Sequence, residues 1–291
     1  MVDFIFLEDP LSKRFVISAP RRATRPDIAK GVEPVCPFCI GREKMTDEEV
    51  FRIGGKENDD NWEVKVVKNK YPFAPIHEIV IHSPDHHKNF DELPLDQVER
   101  IIQTYKNRYN THKKSGEVVI FNNHGEAGGE SLPHPHTQLV VVPKTMTVGA
   151  PSLVEDDTER FITKYFYLFC PRVSQWPDET WIVPSRKDIT FGDIEEEEIT
   201  DLSFVLQRLI QIFDMRHGHE FPFNFYIYPG KNWYLRLTPR AKTLGGFEIA
   251  TNVYVNTQDP METMQFIKSN FENPDEEMIR SSHIASYRKG V

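Results

Sequence analysis

Two imidazoles and an amide stand at alternate positions in GESLPHPHTQLVVVP, residues 129–143, as His134, His136 and Gln138. Imidazoles can attack an electrophile, relay a proton or ligate a metal, and an amide can hold an oxygen. Alternate residues of an extended chain share a face, so the three side chains are expected to point one way. Pro135 locks φ and has no N–H to give a ladder, which suits the start of a strand better than its centre. The run LVVVP is apolar, rich in β-branched residues and closed by Pro143, the pattern of a buried strand. Just upstream, FNNHGEAGGE carries Gly125, Gly128 and Gly129, whose backbone freedom lets main-chain N–H groups approach a phosphate. The same stretch also fits a polar loop feeding a strand, with no chemistry at its histidines.

A second chemical candidate is CPFC, Cys36 to Cys39, whose spacing lets two thiolates share one tetrahedral ion. There is no second CxxC, and Cys170 stands alone, so further ligands would be histidines or carboxylates. The chain offers His77, His82, His86, His87, His124, His134 and His136, and the chemistry alone does not choose among them. A pair of buried, inert cysteines is the other reading of the same spacing.

The rest of the chain sets bounds on these candidates. Its 291 residues can bury one large core or two smaller ones. Apolar residues at 39% and charged residues at 27% describe a globular chain, not a disordered one. With 35 basic against 44 acidic residues, the formal charge is −9, which argues against sequence-independent nucleic-acid binding. No apolar run has the length of a membrane span, and the opening MVDFIFLEDP lacks the character of a signal peptide. Three cysteines do not make a disulfide framework. They point to a reducing compartment, with cytoplasm the default.

The elements that must position the candidates are expected twice. HEIVIHSPDHHKNFDELPLDQVERIIQTYKNRY (77–109) reads as strand, Pro-containing turn, acidic cap and amphipathic helix. ETWIVPSRKDITFGDIEEEEITDLSFVLQRLIQIFD (179–214) repeats that order. Val98, Ile101, Ile102 and Tyr105, then Leu202, Val205, Leu206 and Leu209, recur at helical spacing. A strand pair follows each helix, EVVIFNN with HTQLVVV and FPFNFYIYP with NWYLRLTP. The pattern predicts an α+β fold of two modules, each an antiparallel sheet with a packed helix. Their expected bounds are 1–145 and 155–291, linked through 144–160. Only the first module carries HPHTQ, so the second is expected to be degenerate and supporting.

Taken together, DPLSKRFVISAPRRATRP, CPFC, KNKYPFAP, HEIVIHSPDHHK, IFNNHGEAGGESLPHPHTQ and KTLGGFEIA resemble the galactose-1-phosphate uridylyltransferase branch of the histidine-triad superfamily. The resemblance runs through nearly the whole chain and implies two tandem histidine-triad-like modules. It implies that His136 is a nucleophile toward the α-phosphorus of a nucleotide sugar, forming a covalent nucleotidyl-histidine. A sugar 1-phosphate, or phosphate, would then capture the nucleotidyl group. Gln138 stands where hydrolase relatives have a third histidine. An amide holds a phosphoryl oxygen without supplying a proton, which favours transfer over hydrolysis.

The resemblance further implies a structural zinc on Cys36, Cys39, His86 and His134. It places Arg22 and Arg25 at the phosphates, Asn123 and Ser131 at the nucleotide or its phosphates, and Asn69 near the nucleoside. Lys242, Phe247 and Glu248 are implied at the sugar phosphate, with the site at a homodimer interface. Family members with a second metal carry histidines in a Trp-x-x-His-x-His segment; NWYLRL has none, so no second metal is expected. Tyr254 replaces a glutamine that reads the sugar in the bacterial uridylyltransferases. The C-terminal segment WYLRLTPRAKTLGGFEIATNVYVN is closer to the branch that includes plant ADP-glucose phosphorylase. The expected activity is UDP-glucose–hexose-1-phosphate uridylyltransfer. The alternatives are ADP-glucose phosphorolysis, nucleotide binding without catalysis, and histidine-triad hydrolysis, the last disfavoured by Gln138.

Overall fold

Short runs rich in β-branched residues, buried on both faces, build the strands around the candidate residues. The computed structural model describes residues 4–25, 35–56, 59–146, 149–151, 153, 158–279 and 281. Of the expected linker 144–160, residues 147–148, 152 and 154–157, which include the start of the second module at 155, lie outside the described residues. The strands β1 (Ile5–Glu8) and β2 (Phe15–Ser18) form a separate hairpin. Five strands belong to the first half: β3 (Glu49–Ile53), β4 (Val64–Lys68), β5 (Ile76–Ile81), β6 (Glu117–His124) and β7 (His136–Val142). Five belong to the second: β8 (Arg160–Ile162), β9 (Phe166–Phe169), β10 (Thr180–Pro184), β11 (Phe223–Ile227) and β12 (Leu235–Pro239). The helices are α1 (Leu95–His112), α2 (Glu196–His217), α3 (Gly246–Thr251) and α4 (Pro260–Phe271).

All ten strands from β3 to β12 join one antiparallel sheet in the order β3-β4-β5-β7-β6-β11-β12-β10-β9-β8. Read from either edge, the order is the same: three strands, then the last of the module, then the one before it. The duplication expected from the sequence is therefore a mirrored order about the β6–β11 pair. There Phe223 faces His124 and Asn224 faces Asn123.

Both long helices lie on one face. Val98, Ile101, Ile102 and Tyr105 of α1 and Leu202, Val205, Leu206 and Leu209 of α2 are buried in one core cluster that spans both modules. The acidic start of α2 is a capping box, in which the Glu195 N–H donates to Glu198 Oε2 at 2.8 Å. Strand alternation then sorts side chains between the faces. Thr137, Leu139 and Val141 of β7 face the helices, Leu139 and Val141 in the shared core and Thr137 against Tyr105, whose hydroxyl lies 2.6 Å from Thr137 Oγ1. His136, Gln138, Val140 and Val142 face the other way. On β5, Glu78 and Val80, with His82 just past its end, face the helices, and His77, Ile79 and Ile81 the opposite side.

Glu78 ties α1 to the sheet. Its carboxylate takes Arg108 Nε at 2.8 Å and Nη2 at 2.6 Å, and His112 Nε2 lies 2.8 Å from Oε1. Burial pushes the Glu78 carboxyl up, but the hydrogen bonds from His112 and Arg108 outweigh it and hold the group below its ordinary value of 4.5. Removing one partner of such a buried pair leaves the other charge uncompensated. Arg108→Leu should thus lose about 3 kcal/mol of unfolding free energy in urea titrations at neutral pH. Because a depressed carboxyl stabilises the fold above its unfolded pKa, the deficit should shrink as pH falls through the folded value.

Candidate active site and metal centre

Four of the candidate ligands converge on one point. Cys36, Cys39, His86 and His134 bring their ligand atoms within 4.8 Å of one another. Cys36 Sγ lies 3.6 Å from His134 Nδ1, and Cys39 Sγ lies 3.2 Å from His86 Nδ1 and 3.8 Å from His134 Nδ1. A tetrahedral ion with bonds of about 2.3 Å to sulfur and about 2.05 Å to nitrogen sets these separations near about 3.6 Å, so the donor set can hold a metal ion. The second nitrogen of His134 is committed, since Nε2–H donates to the Ser83 carbonyl at 2.9 Å. That bond fixes the tautomer whose Nδ1 lone pair faces the thiols. Burial, with Cys39 adding to it, pushes the Cys36 thiol up to about 11, a cost that a cation between the sulfurs reverses.

The other histidines lie elsewhere. His82 is buried under α1, with Nε2 2.8 Å from Thr137 Oγ1. His124 pairs with Glu220, Nε2 to Oε2, at 3.1 Å. His77 faces Gln138, with Nε2 2.9 Å from Oε1.

The expectation that His134, His136 and Gln138 share a direction holds for two of the three. β7 begins at His136, and His134 precedes it, its ring turned to the thiols. His136 and Gln138 line a cavity of about 340 Å³, together with Arg22, Arg25, Phe38, Asn69, Tyr71, Ser131 and others. His136 is 5% exposed. Its Nδ1–H donates to the His134 carbonyl at 2.9 Å, so Nε2 keeps its lone pair. Burial pushes the His136 imidazole below its ordinary 6.5; the bond to His134 opposes this and the Arg25 charge adds to it. The ring is neutral near neutral pH, and Phe38 packs against it edge-on with centroids 5.3 Å apart.

Arg22 and Arg25 belong to the segment around a 3-10 turn at Pro20–Thr24. Arg22 Nη1 donates to the Tyr71 carbonyl at 2.6 Å, and its guanidinium lies 4.8 Å from the Phe73 ring centre. Burial, and then the charge of Arg25, push Arg22 down to about 10. Two mutually repelling guanidinium groups at a half-buried cavity form a site that an anion would stabilise.

The glycine loop does not act as expected. Gly125 has φ +72°, and a Cβ there would come within 2.9 Å of Pro222, so the loop can press closely on the second module. Its amides, however, are used internally. Gly125 N–H donates to Glu130 Oε2 at 2.9 Å, Gly128 N–H to the Gly125 carbonyl at 3.0 Å, and Gly129 N–H to the Glu126 carbonyl at 2.9 Å. Of this stretch, Ser131 and Leu132 reach the cavity.

Four predicted residues lie off the cavity lining. Asn123 accepts from Asn224 Nδ2 at 2.9 Å across the module junction. Lys242 Nζ donates to Glu248 Oε1 at 3.0 Å and to the Val255 carbonyl at 2.6 Å, and Phe247 is 55% exposed. These three residues lie at and around α3, and none is among the described residues that line the His136 cavity. Sequence reasoning missed His77 as part of the site. No sequence signal marked it: it lies two residues before Ile79, which only strand pairing makes the Cα partner of Gln138.

Residues 52–142 match the family model described as galactose-1-phosphate uridyl transferase, N-terminal domain. The chain is 27% identical to ADP-glucose phosphorylase of Arabidopsis thaliana, over 90% of this chain and 91% of that protein. It is 25% identical to galactose-1-phosphate uridylyltransferase of Thermotoga maritima, over 74% of this chain and 77% of that one. Among solved structures, an Arabidopsis thaliana ADP-glucose phosphorylase with bound ADP-glucose superposes with a TM-score of 0.71 at 24% identity, covering 91% of this chain and 98% of the other. That match speaks for the fold.

Purified protein should carry bound metal by elemental analysis, and Cys39→Ser should lose most of it. The same variant should loosen the start of β7, seen as faster amide exchange at residues 134–138, because His134 is then tied on one side only.

Proposed function

We propose that this chain, similar over residues 52–142 to the galactose-1-phosphate uridyl transferase family model, is a nucleotidyltransferase working through a covalent nucleotidyl-His136. The observation that carries this reading is a neutral imidazole with Nδ1–H given to the His134 carbonyl and the ring lining a cavity beside two arginines. In the first step the Nε2 lone pair attacks the α-phosphorus of a nucleoside diphosphate sugar. The P–N bond forms, the bridging P–O bond breaks, and the sugar 1-phosphate leaves with the electron pair. In the second step a phosphate oxygen of the acceptor attacks the same phosphorus, and the P–N electrons return to Nε2. Arg22 and Arg25 offset phosphate charge, and Gln138 donates to a phosphoryl oxygen. Asn69 and Ser131 sit where a nucleoside and its phosphates would be held.

Two thiolates and two imidazoles in a tetrahedral set favour zinc. Bound there, the ion would supply rigidity, joining the Cys36–Cys39 turn to the residue whose carbonyl orients His136. In the second module, Tyr234 and Arg236 of NWYLRL pack among aromatics. Residues 1–145 are read as the catalytic module and 155–291 as its support. A homodimer fits the α3 region, where Phe247, Ile249, Val253 and Val255 are exposed at 55%, 72%, 56% and 50%. A second copy would offer its Lys242, Phe247, Glu248 and Asn123 to the sugar phosphate and nucleotide. No helix among the described residues is long and apolar enough to cross a membrane. The free cysteines suit a reducing compartment such as cytoplasm.

Two donor–acceptor pairs fit: UDP-glucose with a hexose 1-phosphate, and ADP-glucose with phosphate. The second is favoured by the longer match to ADP-glucose phosphorylase and by Tyr254 at the sugar-reading position. Radiolabelled UDP-glucose or ADP-glucose should leave alkali-stable label on the wild-type protein. His136→Ala should lower that labelling by on the order of 10³ or more. Label from neither donor, or label persisting in His136→Ala, sinks the proposal. Gln138→His should raise hydrolysis relative to transfer by roughly tenfold or more, since an imidazole can serve water as a base; an unchanged ratio would refute the role given to the amide.

A further inference from the structure

His77 is outside the metal set and outside the cavity lining, yet it touches the one side chain whose orientation decides what the phosphoryl group meets. It lies on β5, 4% exposed, with its ring edge-on to Phe73 at a centroid distance of 4.4 Å. The Phe73 backbone N–H donates to His77 Nδ1 at 3.3 Å. A backbone N–H can only donate, so Nδ1 is the acceptor and Nε2 carries the proton. That proton points to Gln138 Oε1 at 2.9 Å. Asn69 is polarised in the same sense, because the Tyr71 backbone N–H donates to its Oδ1 at 2.8 Å and leaves Nδ2 as donor. Asn69 Nδ2 also lies 3.0 Å from His77 Nε2, so with Nε2 protonated its hydrogens must find an acceptor in another direction.

We propose that His77 is a positioning residue that locks the Gln138 amide with its oxygen inward and its NH₂ toward the cavity. This rests on the nucleotidyltransfer reading given above. An amide is nearly symmetric in shape, and rotating it by half a turn exchanges oxygen for nitrogen at little steric cost. Unlocked, Gln138 could offer its oxygen to a phosphoryl oxygen and repel it; locked, it offers only hydrogens. Burial, with the charges of Arg22 and Arg25 adding to it, pushes His77 down to about 3. The ring therefore stays a single-donor group through the working range of pH.

The test measures nucleotidylation of the full chain in single turnover, with whichever of UDP-glucose and ADP-glucose labels the wild type. Binding of UMP and AMP is measured alongside by calorimetry. His77→Leu should slow labelling about 30- to 100-fold, as loss of one oriented donor does, with nucleotide affinity changed less than about threefold. His77→Gln, which restores an N–H at that end, should recover the rate to within about fivefold of wild type. In a Gln138→Ala background, His77→Leu should cost less than about threefold further, because the two residues act as one unit. An equal cost in both backgrounds, or no cost in the first, overturns the proposal. Nitrogen-15 spectra of the wild-type His77 ring give a reading independent of folding in the variants. Nε2–H and bare Nδ1 are expected, and the opposite tautomer overturns the lock. Label from neither donor would defeat the nucleotidyltransfer reading instead, while the spectra would still report on the His77–Gln138 bond.

Discussion

The hydrogen bond from His136 Nδ1–H to the His134 carbonyl, 2.9 Å long, decides which nitrogen of the candidate nucleophile holds a lone pair. Its strength as a device comes from the residue that provides the carbonyl. His134 is itself fixed at both ring nitrogens, one toward the thiols of Cys36 and Cys39 and the other on the Ser83 carbonyl. Two residues of one turn thus divide the work. One anchors the turn through its side chain and orients through its backbone; the other presents a free nitrogen. Pro135 between them removes a donor that would compete for the geometry and restricts the turn to few conformations.

The mirrored sheet lets corresponding positions of its two halves be compared. On β7, Gln138 faces Ile79 of β5 and Phe121 of β6; on β12, Arg236 faces Trp181 of β10 and Tyr226 of β11. The two positions are comparable, but the second is filled. Arg236 Nη2 is taken by Glu179 at 2.7 Å and Gln175 at 3.0 Å, and Tyr234 is stacked between Trp181 and Tyr228 at centroid distances of 4.1 and 5.1 Å. A buried ion pair under an aromatic stack occupies the position that Gln138 holds in the first half. The second module instead extends the sheet, shares the core beneath α1 and α2, and clamps the glycine loop through Asn224, which donates to the Asn123 side chain and the Gly128 carbonyl at 2.9 and 2.7 Å.

Charge is arranged locally against the global balance. The chain is acidic by nine charges, yet among the described residues Arg22, Arg25, Lys44, Lys68 and Lys70 line the cavity against a single acidic residue, Asp47. Acidic surface elsewhere limits indiscriminate binding of polyanions, while a low-dielectric cleft strengthens the few cations inside it.

Several features were legible in the residues themselves. Local patterns set β7, α1, α2 and the repeated order of elements, because apolar period and acidic caps act over one or two turns of chain. The CxxC spacing marked two ligands, since they are neighbours in sequence, and the family resemblance pointed to His86 and His134. What spacing could not do was choose those two from seven histidines. That choice depends on which loops the β5–β7 pairing brings beside the thiols. The glycine loop misled because glycine permits close approach without naming what approaches; here it is Pro222 of the other module. His77 was invisible for a related reason. Its role exists only because antiparallel register sets it beside Gln138, sixty-one residues away, and register is a property of paired strands. The sequence by itself determined which groups could attack, ligate or bear charge; the tertiary structure alone decided which nitrogen is free and which side chains meet around it, because those depend on the pairing of strands far apart in the chain.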